Sequence, residues 1–254
     1  MPPIISLIAR KGGSSKTTTC LNLAGAARDD GTAVVLLVDM DSQCSLSKAL
    51  LGADVVAGLR PHETVQAVAD RSKSAGDVAR QTNVPGLLLV PGYTDLTVPT
   101  DAVLCLDGID AGLVLIDTPP DIRDKAVRCA LLTSHAVVSP VVPEPWGLQS
   151  VPEVQRLLMA AGVISNERLV FAGWIISMVQ RLAMHTLCEH TMRRLHGSTV
   201  FTNTVPHAAS FKEAAGAGQP VSVYAPKSPA AKITRKVYDE LFERISQSMQ
   251  REVA

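Results

Sequence analysis

The chain is poor in aromatic residues, which occupy 4% of its 254 positions, although 46% of the positions are hydrophobic. Its core must therefore be aliphatic, and runs rich in valine, leucine and alanine suit parallel strands that helices cover on both faces. No stretch of about 18 uninterrupted apolar residues occurs, which excludes a membrane-spanning helix. These shortages favour an α/β protein, and its length is ample for one core.

The chain also has no excess of basic or acidic residues and no closely spaced cysteine pair. Basic and acidic residues both number 24, so the net charge implies no class of partner. The five cysteines include no Cys-x-x-Cys pair, and an odd number without secretory features predicts a reducing compartment. Residues 1–9 are too short for a signal peptide and have no basic segment. We therefore expect a cytoplasmic protein.

One stretch near the start combines glycine, lysine and hydroxyl residues: Arg10, Lys11, Gly12, Gly13, Ser14, Ser15, Lys16, Thr17 and Thr18. An apolar run over residues 4–9 precedes it, and a helical pattern from about 17 to 28 follows. A strand, a glycine-containing turn and a helix in that order predict a phosphate-binding loop, because backbone N–H groups and the helix start attract anions. Lys16 would reach the β- and γ-phosphates, and Thr17 would ligate Mg²⁺.

This stretch departs from the general phosphate-loop pattern, which has Gly five residues before a Gly-Lys-Ser/Thr triplet. Arg10 occupies the first Gly position and Ser15 the second. Gly is used where the backbone needs positive φ or must approach a phosphate closely. Ser15 therefore raises the question of whether the loop geometry or the rate of hydrolysis is altered. An ordinary glycine turn that caps a helix is the alternative interpretation.

Strand and helix patterns alternate along the rest of the chain. Buried strands are predicted at 33–38, 86–91, 113–116, 135–142, 169–177 and, briefly, 199–201. Helices are predicted near 63–69, 75–80, 95–106, 146–161, 183–195 and 230–249. This alternation predicts an α/β fold with a single doubly wound, mostly parallel sheet that has helices on both faces. No linker divides the chain, so we expect one domain over residues 1–254.

Aspartates follow two of these predicted strands. Asp39 and Asp41 come after the second strand, and Asp117 follows four apolar residues. Ligands of open α/β sheets bind at the carboxyl ends of the strands, where carboxylates can hold Mg²⁺ against phosphate oxygens. Asp39 and Asp117 are therefore candidate metal-binding residues with Thr17, and Asp41 is placed to orient the attacking water. A single such aspartate would more simply be a turn former or a helix cap.

Three segments resemble the ParA/MinD family of deviant Walker A ATPases, and the short, Soj-like partition ATPases in particular. Residues 11–18 are similar to the family's Lys-Gly-Gly-x-x-Lys-Thr-Thr loop, in which Lys11 matches a second, signature lysine and Ser15 departs from the usual Gly. Residues 39–43 resemble its Asp-x-Asp-x-Gln segment, and residues 117–120 its Asp-x-Pro-Pro segment. Further similarity near 88–96, 141–148 and 204–228 extends the resemblance over nearly the whole chain.

The resemblance implies a P-loop ATPase that uses ATP and Mg²⁺ and that forms an ATP-dependent homodimer. Two subunits would enclose two ATP molecules, and Lys11 of each would reach the phosphates of the other, as an arginine finger does. Lys11, Lys16 and Asp41 would be the catalytic residues. The resemblance also places the adenine near Met178 and the segment 205–207, which includes Pro206 and His207. Hydrolysis would be slow until a ParB-like or other small adaptor protein stimulates it.

The resemblance further implies binding to DNA without sequence preference, through basic residues of the C-terminal part. Residues 181–254 carry 10 basic and 6 acidic residues, whereas residues 1–180 carry 14 and 18. Such binding neutralises phosphates and depends steeply on salt. The candidates are Arg193, Arg194, Lys212, Lys227, Lys232, Arg235 and Lys236. The dimer would associate with the nucleoid and would position or segregate a plasmid, a chromosome or a protein body.

Two alternatives stay open at this point. A MinD-like regulator of cell division or organelle placement would use a C-terminal amphipathic helix on a membrane surface. The helical pattern at 230–249 has apolar residues at 233, 237, 241, 245 and 249, but acidic residues on its polar face disfavour anionic lipid, so we expect no membrane partner. The second alternative is a weakly hydrolysing ATP-binding switch, because Ser15 replaces the expected Gly.

Overall fold

A computed structural model describes residues 2–164, 166 and 169–251 of the chain. The seven strands of the described part form one sheet in the order β3-β4-β2-β5-β1-β6-β7. Every neighbouring pair is parallel except β3 and β4. The predicted mostly parallel, doubly wound sheet is therefore confirmed. The strands are β1 Ile4–Leu7, β2 Val35–Asp39, β3 Arg80–Gln81, β4 Leu87–Val90, β5 Leu113–Asp117, β6 Ala136–Val141 and β7 Val170–Ile176.

Helices cover both faces of this sheet. On β1, Ile5 and Leu7 pack in the core beneath α1 and α11, whereas Ile4 packs on the opposite face with α4 to α6. The helices are α1 Lys16–Asp29, α2 Ser45–Leu51, α3 Ala53–Ala57, α4 Val65–Ala69, α5 Ala75–Val78, α6 Lys125–Thr133, α7 Pro145–Ile164, α8 Ala183–His196, α9 Ala209–Gly216, α10 Val221–Tyr224 and α11 Pro229–Arg251. Short 3₁₀ turns span Pro61–Glu63 and Gly197–Thr199. That residues 1–254 form one domain stays a prediction.

The core is aliphatic for most of its extent, as the composition predicts. Aromatic side chains are few in it: Trp174 and Phe201 are fully buried, and Phe211 and Tyr238 are at most 7% exposed. Helix α11 turns its apolar face into the core, where Val237, Leu241 and Ile245 are all at most 4% exposed. Met249, the last apolar position of the predicted pattern, has a side chain outside the described residues.

Helix α1 is held from behind by the C-terminal part of the chain. Asn22 on α1 accepts a hydrogen bond from the backbone N–H of Val221 at 2.7 Å. Three residues further along α1, Gly25 lies so close to Pro220 that an added Cβ would come within 2.4 Å of the proline Cβ. No side chain larger than hydrogen fits there, so the backbone of α1 packs directly against the side chains of Pro220 and Ser222.

The prediction of a helix at 95–106 is wrong. This segment is irregular because its polar groups bond to neighbouring elements instead of to one another. The backbone N–H of Leu104 donates to the Thr133 hydroxyl at 3.0 Å, and that of Thr97 donates to the Gln66 side chain at 2.9 Å. Pro99 has no N–H to contribute, and Asp101 adopts a left-handed φ of 58°.

Other elements also differ from the predictions, among them helices α2, α3, α9 and α10, which were not predicted. The short strand expected at 199–201 is a 3₁₀ turn followed by a single bridge between Val200 and Trp174. The helix expected at 75–80 ends at Val78, and Arg80 begins the edge strand β3. Helix α6 was not predicted, although its N-cap, Asp124, accepts a hydrogen bond from the Ala126 N–H at 2.8 Å.

Candidate nucleotide site at the carboxyl edge of the sheet

The loop between β1 and α1 adopts left-handed conformations at two residues. Gly13 has a φ of 75° and Ser15 a φ of 65°. The left-handed region costs an L-residue roughly 1–2 kcal/mol, whereas Gly enters it freely. Ser15 is the N-cap of α1, and its hydroxyl donates to the Ser177 hydroxyl at 2.7 Å. The geometry therefore explains why Gly is expected at this position, and it shows what holds a serine there.

Lys16 begins α1 and is only 6% exposed. Its ammonium group lies 3.5 Å from the carbonyl oxygens of Ala9 and Lys11, so the side chain folds back along the loop. Burial lowers the pKa of Lys16, and the nearby Asp117 and Asp41 carboxylates oppose that shift. A buried ammonium group with only distant carbonyl partners is well suited to an anionic ligand.

Asp117 ends β5 beside the loop and is completely buried. The Thr17 hydroxyl donates to its Oδ2 at 2.6 Å. Its Oδ1 is also buried and has no hydrogen-bond partner within the described part of the chain. Burial raises the pKa of Asp117 to about 8; the neighbouring Asp39 carboxylate adds to the shift, and the Thr17 hydroxyl and Lys16 oppose it. An unpaired buried carboxylate oxygen beside a threonine hydroxyl fits a cation ligand.

Asp39 is the register partner of Asp117 on the adjacent strand. Its Oδ2 accepts hydrogen bonds from both the hydroxyl and the N–H of Ser47, at 2.6 and 2.9 Å, and its Oδ1 accepts one from the Asp41 N–H at 3.2 Å. Burial raises the pKa of Asp39 to about 6, and the Ser47 bonds oppose that shift. Both oxygens of Asp39 thus brace the loop 40–47, in contrast to the unpaired oxygen of Asp117.

Asp41 lies further out along the same loop and is 9% exposed. Its Oδ1 accepts the N–H of Gln43 at 2.9 Å, which fixes the carboxylate in a turn. Asp41 and Gln43 line a cavity of about 410 Å³, together with residues 12–18. The structure therefore brings Asp41 to the same cavity as the phosphate-binding loop.

The described residues include no group of three or more His, Cys, Asp or Glu side chains that could hold a metal by itself. Mg²⁺ is usually held by one or two carboxylates together with water and substrate phosphates. Thr17 and Asp117 fit that chemistry, since they supply a hydroxyl and an unpaired carboxylate oxygen beside the loop. The metal-binding role of Thr17, Asp39 and Asp117 stays a prediction.

A second cavity, of about 390 Å³, lies on the other side of the loop. It brings Gly13, Ser15 and Thr18 together with the predicted adenine contacts Met178, Pro206 and His207. The segment 205–207 is fixed to the end of β7 because Val179 donates to the Val205 carbonyl at 3.0 Å and His207 donates back to Val179 at 2.9 Å. The cavity is mostly apolar, and its size suits a nucleoside.

Several residues of these walls were not predicted from the sequence. Asn22 and Phe211 line the second cavity. Ser47, which holds Asp39, and Ser177, which holds Ser15, are buried serines that no short motif marks. Asn22 could have been proposed from the sequence, because it lies on the predicted helix that begins at the phosphate-binding loop, close to Thr17. Ser177 is 162 positions from Ser15, whereas Ser47 is only eight positions from Asp39.

Lys11 is exposed, unlike Lys16. Its ammonium group lies 5.4 Å from the centroid of the Trp146 ring, a cation–π contact at the start of α7. Trp146 itself is 61% exposed. The neighbouring Arg10 forms an ion pair with Glu153 of the same helix. The Lys11 side chain is therefore held at the surface by a contact that is weak enough to break.

The seven basic residues proposed to bind DNA fall into two groups. Arg193 donates to the carbonyls of Phe201 and Thr202, at 3.0 and 3.2 Å, and pairs with Glu189. Arg235 pairs with Asp30 and Asp239. These two guanidinium groups thus hold elements of the fold together. The other five side chains are exposed: Arg194, Lys212, Lys227, Lys232 and Lys236.

Within the described ranges, no helix combines the length and the apolar character that crossing a membrane would need.

Comparisons with known proteins extend this picture. A family model described as the CobQ/CobB/MinD/ParA nucleotide binding domain matches residues 5–221. The chain is 29% identical over 253 residues to the chromosome-partitioning ATPase Soj of Thermus thermophilus, covering 96% of this chain and 97% of that protein.

Two solved structures share the fold. A plasmid partition protein from Borrelia burgdorferi bound to AMPPNP has a TM-score of 0.76 at 18% identity, covering 98% of this chain and 100% of that one. A Mycobacterium smegmatis cobyrinic acid a,c-diamide synthase, with a bound ATP analogue and magnesium, has a TM-score of 0.77 at 22% identity and covers 94% and 93%.

Proposed function

The chain belongs to the CobQ/CobB/MinD/ParA nucleotide-binding family, and from that premise we propose that it is a ParA-type ATPase whose ATP-bound dimer binds DNA without sequence preference and positions or segregates a cargo. The observation that carries the proposal is the arrangement at the sheet edge. Lys16 and Thr17 belong to the phosphate-binding loop, and Asp117 and Asp41 lie beside it. The apolar cavity lined by Met178 and Pro206 adjoins the same loop. That arrangement has a place for phosphates, for a cation and for a base.

The proposed reaction is hydrolysis of ATP to ADP and phosphate. The backbone N–H groups of residues 11–18 and the Lys16 ammonium group bind the phosphates. Thr17, Asp117 and Asp39 would hold Mg²⁺, which neutralises charge on the β- and γ-phosphates. Asp41 orients the attacking water, because its carboxylate is fixed at the wall of the loop cavity. Met178, Pro206 and His207 contact the adenine.

Dimerisation is proposed to complete this site. Lys16 is buried inside its own loop, whereas Lys11 is exposed and engages Trp146 at the surface. Lys11 can therefore reach a neighbouring subunit without breaking a buried contact. A lysine supplied by the partner would stabilise charge that develops on the transferred phosphate, so hydrolysis would require the dimer. A small adaptor protein would then control turnover by acting on the dimer.

DNA binding is supported by the local excess of basic over acidic residues after position 180. Lys232 and Lys236 are exposed one turn apart on α11, and Lys227 and Arg194 are also exposed. Such side chains neutralise phosphates and contribute little sequence preference. The similarity to Soj, a chromosome-partitioning ATPase, and to the Borrelia plasmid partition protein favours a chromosome or plasmid as the cargo. A cytoplasmic, nucleoid-associated location follows from this proposal.

Membrane attachment through α11, the route of a MinD-like regulator, is disfavoured. Val237, Leu241 and Ile245 lie in the core of the protein and are at most 4% exposed. Docking on lipid through this face would require α11 to detach from the body of the protein and to leave the core surface beneath it uncovered.

Retention on random-sequence DNA, compared with retention on anionic liposomes over a range of salt, tests the proposal. We expect ATP and Mg²⁺ together, but not ADP, to produce DNA binding that weakens steeply with salt. The Lys16→Ala protein serves as the nucleotide-free control. Binding to liposomes without binding to DNA would reject the proposed function in favour of a membrane-surface regulator.

A further inference from the structure

The hydroxyl groups of Ser15 and Ser177 form a hydrogen bond between two parts of the site that are far apart in sequence. Ser15 belongs to the phosphate-binding loop, and Ser177 follows the last strand of the sheet, β7. The two oxygens are 2.7 Å apart, and Ser177 is completely buried. The Thr19 hydroxyl, one turn along α1, lies 3.5 Å from the Ser15 hydroxyl. Three hydroxyl side chains thus converge on the start of α1.

The contact joins the loop to the wall of the adenine cavity. The N–H of Ser177 donates to the Val141 carbonyl at 2.9 Å, which fixes Ser177 to the neighbouring strand β6. The next residue, Met178, has a φ of 58° and lines the 390 Å³ cavity, and Ser15 lines the same cavity. Any displacement of Ser15 therefore changes the loop and the cavity wall together.

The left-handed backbone of Ser15 requires such a support. A serine prefers to leave this conformation, and leaving it would rotate the Ser15 peptide and the N–H groups that form the phosphate cradle. A hydrogen bond from a residue that the sheet holds in place opposes that rotation. A glycine would need no such support, because it has no Cβ and no preference against positive φ.

We propose that Ser177 is a positioning residue that holds Ser15, and with it the phosphate-binding loop, in the conformation that binds nucleotide. The inference rests on the proposed function, since it assigns the loop to ATP. Ser177 makes no contact with phosphate itself in this scheme, and it acts only through the Ser15 hydroxyl. In the family's usual loop, Gly adopts this conformation without support. Here the hydrogen bond between Ser15 and Ser177 stabilises the same conformation for a serine.

The test measures the equilibrium affinity for ATP with Mg²⁺ in a set of variants. Ser177→Ala and Ser15→Ala should each weaken binding about fivefold, which equals about 1 kcal/mol and is the net worth of one hydrogen bond. Ser15→Ala keeps the strained backbone but loses the hydroxyl, so the double variant should bind no more weakly than either single one. In a Ser15→Gly background, Ser177→Ala should change the affinity by less than twofold.

Ser139→Ala is the matched control, because Ser139 is a buried serine of the neighbouring strand whose hydroxyl has no hydrogen-bond partner among the described residues. Its affinity for ATP should equal that of the unaltered protein, as should the far-ultraviolet circular dichroism of every variant. A merely structural role of Ser177 would weaken binding equally whether residue 15 is the natural serine or the glycine of the Ser15→Gly protein.

The outcomes separate this inference from the function on which it rests. Additive effects of the two substitutions, or normal affinity in Ser177→Ala, would overturn the positioning role while leaving the ATPase proposal intact. An unaltered protein that fails to bind ATP at millimolar concentration would overturn both. A fivefold loss in Ser177→Ala that disappears in the Ser15→Gly background would support both.

Discussion

Asp39 and Asp117 are register partners on the adjacent strands β2 and β5, and neither side chain is exposed to solvent. Two carboxyl groups therefore lie side by side at the edge where the phosphate-binding loop begins. Their hydrogen bonds differ, since Asp39 is bonded through both oxygens and Asp117 through one. We infer that Asp117 provides the open position for the proposed cation, and that Asp39 beside it also supports its own loop through these hydrogen bonds.

Replacement of Asp117 should separate stability from function. Asp117→Asn removes a buried carboxylate whose pKa is raised to about 8 by burial and by Asp39. We expect the nucleotide-free protein to gain about 1 kcal/mol, or roughly 2–4 °C in the midpoint of thermal unfolding, while Mg²⁺ no longer tightens ATP binding. Asp110→Asn, at an exposed carboxylate, is the control and should alter neither measurement. Undiminished Mg²⁺ dependence in Asp117→Asn would contradict the metal-binding role.

Substitution of the two lysines of the loop should have different effects. Lys16→Ala should abolish nucleotide binding, because the buried ammonium group is the cation nearest the phosphates. Lys11→Ala should bind ATP but should lose the ATP-dependent dimer and about 10³-fold in stimulated hydrolysis, by analogy with a transition-state cation supplied by a partner. Titration calorimetry and light scattering after gel filtration measure the two properties. Normal adaptor-stimulated turnover in Lys11→Ala would reject the trans role of this lysine.

Trp146 should report the movement of Lys11. The chain has only two tryptophans, and Trp174 is buried in the core, so changes in emission near the surface arise from Trp146. If Lys11 leaves the Trp146 ring to reach a partner subunit, ATP with Mg²⁺ should shift the emission and ADP should not. Lys11→Ala should show the altered emission before nucleotide is added. An identical spectrum with ATP and ADP would argue against this movement.

The exposed lysines of α11 should account for part of the salt dependence of DNA binding. Lys232→Ala combined with Lys236→Ala should weaken retention on DNA and reduce the slope of log K against log salt by about 0.9 for each phosphate that is no longer neutralised. Lys125→Ala, an exposed lysine on α6, is the matched control. Arg235→Ala should instead lower thermal stability, because Arg235 pairs with Asp30 and Asp239. An unchanged slope in the double variant would place the DNA surface elsewhere.

Ser47 should be important for the loop that carries Asp41. Its hydroxyl donates to Asp39 at 2.6 Å and accepts the Gly92 N–H at 2.8 Å, all in the buried interior. Ser47→Ala leaves a buried N–H unpaired and removes one of the hydrogen bonds to a buried carboxylate oxygen, so we expect a loss of about 1–3 kcal/mol in unfolding free energy. Urea denaturation measures this loss. Ser45→Ala, at the exposed start of α2, should cost less than about 0.5 kcal/mol by the same measurement.

The central strands of the sheet could be predicted from the sequence, because each is marked by a local run of apolar residues. The apolar runs predicted at 33–38, 86–91 and 113–116 contain the strands β2, β4 and β5, whose residues are mostly buried between the helices on the two faces of the sheet. The same runs placed Asp39 and Asp117 at one edge, where the structure finds them adjacent.

Contacts between distant segments could not be predicted in this way. Pro99 already disfavours a helix over 95–106, but the bonds from Gln66 and Thr133 to the backbone of this segment are not marked by any local pattern. Trp146 is 135 positions from Lys11, and Ser177 is 162 positions from Ser15, so neither spacing belongs to a motif. The left-handed conformation of Ser15 was foreseeable from the phosphate-loop pattern, whereas its hydroxyl partner was not.

The contact between Gly25 and Pro220 limits how the protein can transmit a signal. Helix α1 carries Lys16 and Thr17 at its first turn, and Gly25 in its middle packs against the side chains of Pro220 and Ser222. Because this contact is so close and Asn22 is bonded to the Val221 N–H, a shift of α1 would have to carry the segment 220–222 with it. We therefore expect the conformational response to the bound nucleotide to occur in the exposed loops at the sheet edge. A surface that senses ATP should therefore be sought beside Lys11 and Asp41, at the mouth of the site.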